Sequence, residues 1–117
     1  MNVVQIQDEM KQLPQVQMTV GHYFSDGCYA RELHIPKGVA LAGALHKTNH
    51  HYILSKGKIM VHNGNNRSIL EAPYHGETKV GDKRIILGLE DAIFTTFHVT
   101  DLTDVDEIGR QILGEEL

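Results

Sequence analysis

The sequence lacks the features of an exported or membrane-bound protein. Only one of its 117 residues is a cysteine, Cys28, so no disulfide can form within the chain. No Cys-x-x-Cys pair and no apolar h-region typical of a secretory signal appears, so we expect no signal peptide. No apolar run approaches the ~20 residues that span a bilayer. These absences predict a cytoplasmic protein that has no membrane partner.

Positive charge is also scarce. Eleven Lys and Arg residues stand against fifteen Asp and Glu, which gives a formal net charge of -4. Binding to nucleic acid draws on clustered Lys and Arg, whereas here the two signs are interspersed. The composition therefore predicts no nucleic-acid partner. The chain also contains no nucleophile elbow and no glycine-rich phosphate loop, which argues against a covalent mechanism.

Tryptophan is absent, whereas histidine is abundant. Eight histidines compare with three phenylalanines and four tyrosines. Three of the histidines fall within the segment "LHKTNHHYILSKGKIMV", residues 45 to 61. Neutral imidazole binds first-row metals and also serves as a hydrogen-bonding group near neutral pH. The excess therefore predicts a metal site or a polar ligand pocket, and the composition leaves both open.

Short strands dominate the middle of the chain. The segment "CYARELHI" (28 to 35) alternates large apolar residues with small or polar ones, which is typical of a half-buried strand. Further short strands are predicted in "VALAGALH" (39 to 46), "YILS", "KIMVHN", "RSILEAP", "KRIILGL" and "AIFTTFHV", with Gly, Asn and Asp turns between them. This pattern predicts an antiparallel sandwich or barrel. A chain of this length forms one domain, 1 to 117, with the barrel at about 17 to 100.

Two helices are predicted at the ends of the barrel. Residues 4 to 12 form a short helix that Pro14 terminates. Residues from about 103 to 114 return to helical spacing, with Thr103 as the N-cap and acidic residues in the first turn. We expect this second helix to pack on the outside of the sheet.

The segment "VALAGALH" has one face of large residues and one of small residues. Ala40, Ala42 and Ala44 alternate with the large residues and are followed on the same face by His46. We expect this alanine face to line the barrel interior. His50 would then lie across the turn from His46, whereas His51 would point outward. His22 precedes the first predicted strand (28 to 35), and a surface role is expected for it.

The glycine and histidine spacing resembles the cupin superfamily. The first cupin motif reads Gly, His-x-His, three residues, Glu, six residues, Gly. Laid on Gly57, its Glu position falls on His50 and its two histidines on Ala44 and His46. In the second motif, Gly81 takes the place of a glycine and Arg84 that of a metal-binding histidine.

From about residue 24 to 101, the sequence is similar to small cupin-like proteins encoded by bacterial viruses. It implies an all-β fold, a single antiparallel cupin (jelly-roll) barrel with a short N-terminal and a C-terminal helix. A viral origin would place the protein in the host bacterial cytoplasm. The likeness also suggests a homodimer, since dimers commonly cover exposed sheet edges.

Two kinds of site are compatible with these residues. His46, His50 and a third histidine, His98 or alternatively His75, would suit one divalent Fe, Ni, Mn or Zn ion in a dioxygenase, isomerase or lyase, although the same histidines would equally line a polar pocket. The alternative is a binding site for a small polar or anionic molecule, formed by His46, His50, Tyr52, Lys83 and Arg84.

Arg84 distinguishes the two kinds of site. Arginine grips phosphate or carboxylate in a planar fork and does not ligate metal. Binding without turnover is therefore the leading interpretation, with a nucleotide-like host signal as one version of the ligand. Lys47 and Arg31 would add positive charge. Arg84 would instead have a structural role if it formed an ion pair with Glu32, Glu90 or Asp91. A third interpretation is that the protein is structural or mediates interactions and binds no ligand.

Overall fold

A computed structural model describes residues 3 to 43, 47 to 64 and 66 to 111. Within these residues the chain forms nine strands and two helices. In chain order they are α1 (Val3–Met10), β1 (Thr19–Ser25), β2 (Cys28–Ile35), β3 (Ala40–Ala42), β4 (His50–Lys56), β5 (Lys58–His62), β6 (Arg67–Glu71), β7 (Tyr74–Thr78), β8 (Ile85–Gly88), β9 (Ala92–Val99) and α2 (Val105–Gln111). The helices formed by described residues are too short or too polar to cross a membrane.

The strands form two antiparallel sheets. One has five strands in the order β1-β2-β9-β4-β7, and the other has four in the order β3-β8-β5-β6. Consecutive strands β4 and β5 belong to different sheets and meet at Gly57, which has a φ of 82°. Glycine reaches this left-handed region without the Cβ clash of other residues. The predicted all-β antiparallel fold is confirmed.

The core lies between the two sheets. Leu33, Leu54 and Phe94 are neighbours across β2, β9 and β4, and all three are at most 3% exposed. Ile59, Val61 and Ile86 of the second sheet belong to the same apolar cluster. The alternation that marked β2 and β9 in the sequence therefore identifies which face of each strand is buried.

The structure corrects three predictions about β1, β7 and β3. Strand β1 contains His22, so this residue belongs to the barrel. Strand β7 was not predicted. On β3 it is Leu41 that packs against the core, while Ala40 is exposed, so the prediction of an inward alanine face is wrong for Ala40; Ala44 and His46 lie outside the described residues. A leucine buries more apolar surface than an alanine, which favours this orientation.

The C-terminal helix also differs from its prediction. Asp104 Oδ1 accepts a hydrogen bond from the Glu107 backbone N–H at 3.1 Å, so Asp104, not Thr103, caps α2. Ile108 is fully buried and packs against Tyr29, an inward-facing residue of β2. The helix therefore covers one end of the barrel instead of the outside of a sheet. The rest of the predicted span, 112 to 114, lies outside the described residues.

Candidate functional site

Polar side chains form two rows across the inner face of the five-stranded sheet. The first row contains Arg31, Thr96 and Tyr52, and the second contains Tyr29, His98, His50 and Thr78. Residues two apart on a strand share a face, so the alternation that buries Leu33 and Leu54 also points both rows inward. The barrel consequently has an apolar end and a polar end. The candidate residues gather at the polar end.

His50 and His98 are in direct ring contact within the second row. Their ring centroids lie 4.4 Å apart, and they are 4% and 1% exposed. His98 Nε2 is hydrogen-bonded to Thr96 Oγ1 at 2.8 Å. His50 Nδ1 donates to the Thr48 carbonyl at 3.3 Å. The prediction that His98 faces the interior is confirmed, and His50 faces the same interior.

The environment of His50 favours its neutral form. Burial lowers the pKa of His50, because the imidazolium loses solvation, and the positive charge of Arg84 acts in the same direction. The hydrogen bond to the Thr48 carbonyl opposes the shift. A neutral imidazole near neutral pH can accept as well as donate a hydrogen bond, and it can bind a metal.

Arg84 lies in the loop before β8 and faces the same interior. Its Nη2 donates to Thr78 Oγ1 at 2.6 Å, and its Cζ lies 5.1 Å from the centroid of the Tyr52 ring. This distance is within the range of a cation–π contact. Burial raises the pKa of Tyr52, whereas the charge of Arg84 opposes that rise. The Arg84 carbonyl also accepts a hydrogen bond from Gly43 at 2.8 Å, which ties this loop to the end of β3.

Arg84 does not form the ion pairs that would make it structural. Glu32 is hydrogen-bonded to His34 at 2.7 Å, and Glu90 lies 3.8 Å from Lys58. Asp91 accepts from the Lys37 backbone N–H at 2.9 Å. Among the residues that the structure describes, no carboxylate is paired with Arg84. The structural interpretation of Arg84 is therefore wrong for each of these three partners.

Arg31 is a second inward-facing cation. It shares the inner face of β2 with Tyr29 and Leu33, and burial lowers the pKa of its guanidinium. Within the described parts of the chain, no ion pair engages its side chain. A cation taken out of water without a counter-charge is costly. The sequence analysis predicted only that Arg31 adds positive charge. Its position between Tyr29 and Leu33 on the inward face of β2 was the signal that it points into the barrel.

His22 joins the site through Tyr29. His22 Nδ1 is 2.6 Å from the Tyr29 hydroxyl, and the two rings are stacked. Tyr29 is fully buried, and its ring also stacks on His98 at a centroid distance of 5.8 Å. Burial raises the pKa of Tyr29, which keeps the phenol protonated and able to donate. His22 is exposed, as expected for a surface residue, but it is also hydrogen-bonded to the hydroxyl of the buried Tyr29.

His46 lies outside the described residues, so its role stays a prediction. Lys83 does not join this group: it is half-buried in the loop that carries Arg84, and no hydrogen bond or ion pair of its side chain is formed with a described residue. His75, the alternative third metal ligand, is exposed on the outer face of the sheet, where its ring stacks on that of His51. Tyr52, by contrast, is only 6% exposed and lies beneath Arg84.

The described donors do not complete a transition-metal site in the barrel. His50 and His98 supply two imidazoles, whereas a catalytic zinc-type site uses about three protein ligands. No group of three His, Cys, Asp or Glu within the described ranges is arranged to hold an ion. Arg84 also lies near His50, and a guanidinium does not ligate metal.

Helix α2 lies against the polar end. Lys47 Nζ donates to the Arg110 carbonyl at 2.9 Å, which joins the loop before β4 to the helix. Ile108 and Leu102 pack on Tyr29 of the second polar row. Helix α2 therefore covers Tyr29 at this end of the barrel.

A cavity of about 330 Å³ lies at the apolar end instead. Residues near the ends of β2, β4 and β9 line it, among them His34, Lys56 and Asp91. Its lining includes none of the residues of the two polar rows. The convergence of buried polar groups, not cavity size, therefore identifies the candidate site.

Comparison with solved structures identifies the architecture. A cupin superfamily protein from Desulfitobacterium hafniense is 11% identical and matches over 77% of this chain and 84% of its own, with a TM-score of 0.64. An RmlC-like cupin from Methanocaldococcus jannaschii, with a double-stranded β-helix fold, is also 11% identical. It matches over 71% of this chain and 80% of its own, with a TM-score of 0.61. The chain has the cupin fold.

One matched cupin is described by an activity. An acetylacetone dioxygenase from Acinetobacter johnsonii is 21% identical over 85% of this chain and 70% of its own, with a TM-score of 0.63. At these identities the likeness extends to the fold alone, because unrelated functions share one fold. No protein-family model and no curated protein sequence matches the chain. The resemblance to virus-encoded cupins stays a prediction.

Proposed function

We propose that the polar end of the cupin barrel binds a small anionic molecule without turning it over. The observation that carries this proposal is the pair of inward-facing guanidinium groups, Arg31 and Arg84, neither of which is paired with a described carboxylate. Two cations on the inner wall of one barrel disfavour folding unless an anion compensates them. A bound phosphate or carboxylate would supply that charge.

Arg84 is the main anchor in this proposal. Thr78 fixes one nitrogen of the guanidinium and the Tyr52 ring supports one of its faces. The remaining N–H groups keep the planar fork that matches two oxygens of a phosphate or carboxylate. Preorganisation of this kind lowers the entropy lost when a ligand binds. His50, neutral and nearby, would add a directional hydrogen bond.

The ligand class can be narrowed by the chemistry around Arg84. The Tyr52 ring lies beside Arg84, and Thr96 lies between Arg31 and Tyr52 in the first row. An anionic group joined to a planar ring would use the guanidinium, the aromatic ring and the hydroxyl. Together with the resemblance to virus-encoded cupins, this leads to the more specific proposal that such a protein sequesters a nucleotide-like signal of its bacterial host.

Calorimetric titration tests the proposal. Wild type would be titrated with a panel of inorganic phosphate, nucleoside mono- and diphosphates, and carboxylated metabolites. Arg84→Ala should lose a charge-assisted hydrogen bond of about 1.5 to 3 kcal/mol, which corresponds to roughly a tenfold to hundredfold weaker affinity. Arg84→Lys should recover part of this loss, since an ammonium keeps the charge but not the fork.

Arg67→Ala is the matched control. Arg67 is exposed on β6 of the other sheet, so its removal changes the net charge equally without touching the polar rows. Equal affinity of wild type and Arg84→Ala would overturn the proposal, as would equal losses in Arg84→Ala and Arg67→Ala. Failure of every panel member to bind wild type would also overturn it.

The ring contact between His50 and His98 favours a second candidate, a metal-dependent cupin enzyme. Two buried imidazoles whose centroids lie 4.4 Å apart are part of the donor set that a divalent Fe, Ni, Mn or Zn ion requires. His46 would have to supply the third donor. The test is elemental analysis of protein purified without an affinity tag. Stoichiometric metal that is lost in both His50→Gln and His98→Gln would favour the enzyme over the anion-binding protein.

The homodimer remains part of the proposal. Strand β1 is an edge of the five-stranded sheet, pairs with β2 over all seven residues and contains no charged residue and no proline. Natural edge strands usually carry charges, prolines or bulges that prevent pairing. A second copy related by a twofold axis would pair with β1 in the antiparallel sense. Analytical ultracentrifugation measures this, and a monomer at high concentration would contradict it.

A further inference from the structure

Two histidines form a separate pair on the outer face of the five-stranded sheet. His51 of β4 and His75 of β7 are diagonal neighbours, since His51 is paired with Glu77 and Ile53 with His75. His75 Nε2 lies 3.1 Å from His51 Nδ1, and the ring centroids are 5.0 Å apart. Both side chains are exposed. The paired strands hold the two rings side by side without help from a loop.

We propose that His51 and His75 form a two-histidine site for a divalent transition-metal ion of borderline softness, such as Zn²⁺. A metal–nitrogen bond of about 2.05 Å separates two ligand nitrogens by about 2.9 Å at a right angle and about 3.3 Å at the tetrahedral angle. The observed separation of 3.1 Å falls between these two values. The rings need only rotate about χ2, a torsion with a broad minimum, to direct both lone pairs at one point.

The electrostatic surroundings suit a cation. Glu77 lies opposite His51 on the same face, so an acidic side chain neighbours the pair. Because Lys79 already engages Glu77, we assign Glu77 the role of a nearby counter-charge and not of a ligand.

The site would keep open coordination positions. No third His, Cys, Asp or Glu in the described ranges completes a three-donor group, so water would fill the remaining positions. A two-imidazole site of this kind binds less tightly than a closed structural site. It would also remain accessible to a further ligand, such as a donor from a second protein.

Titration of metal-free protein with ZnCl₂ tests the proposal. We expect one Zn²⁺ per chain for wild type and a roughly tenfold or greater loss of affinity in both His51→Gln and His75→Gln, since each removes one of two inner-sphere ligands. Imidazole NMR signals of these two residues should shift during the titration of wild type. Because both side chains are exposed, the thermal melts of the variants should match that of wild type.

His34→Gln is the control. His34 is a half-buried histidine on β2 that is hydrogen-bonded to Glu32. This variant should bind Zn²⁺ as wild type does. Unchanged affinity in His51→Gln and His75→Gln, or an equal loss in His34→Gln, would overturn the proposal. Absence of Zn²⁺ binding to wild type would overturn it as well.

Discussion

A methyl group at residue 76 tests how tightly Tyr52 is held beneath Arg84. Gly76 and Tyr52 are opposite each other on β7 and β4. A Cβ at Gly76 would overlap the phenol oxygen and Cζ of Tyr52. The ring cannot swing into solvent, because it is only 6% exposed and Phe94 packs against it at a centroid distance of 4.9 Å. Gly76→Ala should therefore strain the polar end of the barrel.

The magnitude follows from two opposing effects. Alanine restricts the unfolded chain, which stabilises the fold by about 0.4 to 1 kcal/mol where the backbone is compatible, and the φ of Gly76 is not positive. Overpacking of a close-packed interior costs about 1 to 3 kcal/mol. The net expected loss in the free energy of unfolding is about 1 to 2 kcal/mol. Since Arg84 lies over the same ring, affinity for an anion should fall as well.

Urea denaturation followed by circular dichroism measures the loss. Gly21→Ala is the matched control: a Cβ there would come within 2.8 Å of the Tyr23 ring, but Tyr23 is 56% exposed and can move aside. We expect little or no loss in that variant. In a Tyr52→Leu background the penalty of Gly76→Ala should disappear. A stable Gly76→Ala, or a penalty that persists without the Tyr52 phenol, would refute the reasoning.

Three further changes test other parts of the structure. Gly57→Ala should lower the free energy of unfolding by about 1 to 3 kcal/mol more than Gly38→Ala, as measured by urea denaturation. Both positions have a positive φ, but only at residue 57 would a Cβ overlap the Asp91 backbone. Equal losses in the two variants would contradict this. The folded pKa of His50 lies below 6.5, so the unfolded chain binds more protons as the pH falls through and below that value. The free energy of unfolding should decrease from about pH 7.5 to about pH 5.5, and by a smaller amount in His50→Gln; an identical pH dependence of both proteins would refute this. Arg31→Met should leave the melting temperature unchanged or raise it while weakening anion binding, since an apolar side chain removes an inward cation; a lower melting temperature would identify Arg31 as structural.

The strands that could be predicted are those in which burial alternates strongly. Cys28–Ile35 and Ala92–Val99 were located at their observed bounds, because large apolar side chains occupy every second position and point into one core. His98 could be placed in the interior for the same reason. In Tyr74–Thr78, only Thr78 is fully buried. Its alternation is therefore invisible in the sequence, and the central glycine suggests a turn.

The site was only partly predictable, because it depends on register. His50 and Arg84 were identified from motif positions, but the partners that fix Arg84, Thr78 and Tyr52, come from strands whose alignment the sequence does not state. The link from His22 to Tyr29 likewise requires the pairing of β1 with β2. A polar residue at an inward position looks the same in the sequence as one at an outward position. Inter-strand pairing, not composition, separates the two.

Arg84 determines which charge the polar end of the barrel can stabilise. A histidine in its place would bring a neutral imidazole, which can ligate a metal ion together with His50 and His98. A guanidinium brings its own positive charge into the same space and, together with burial, holds His50 in the neutral form. With Arg31 on the neighbouring wall, added positive charge is disfavoured there and negative charge is favoured. The same electrostatics therefore disfavours a metal ion at the inner wall and favours an anion, while the exposed pair of His51 and His75, beside Glu77, has the surroundings that a cation prefers.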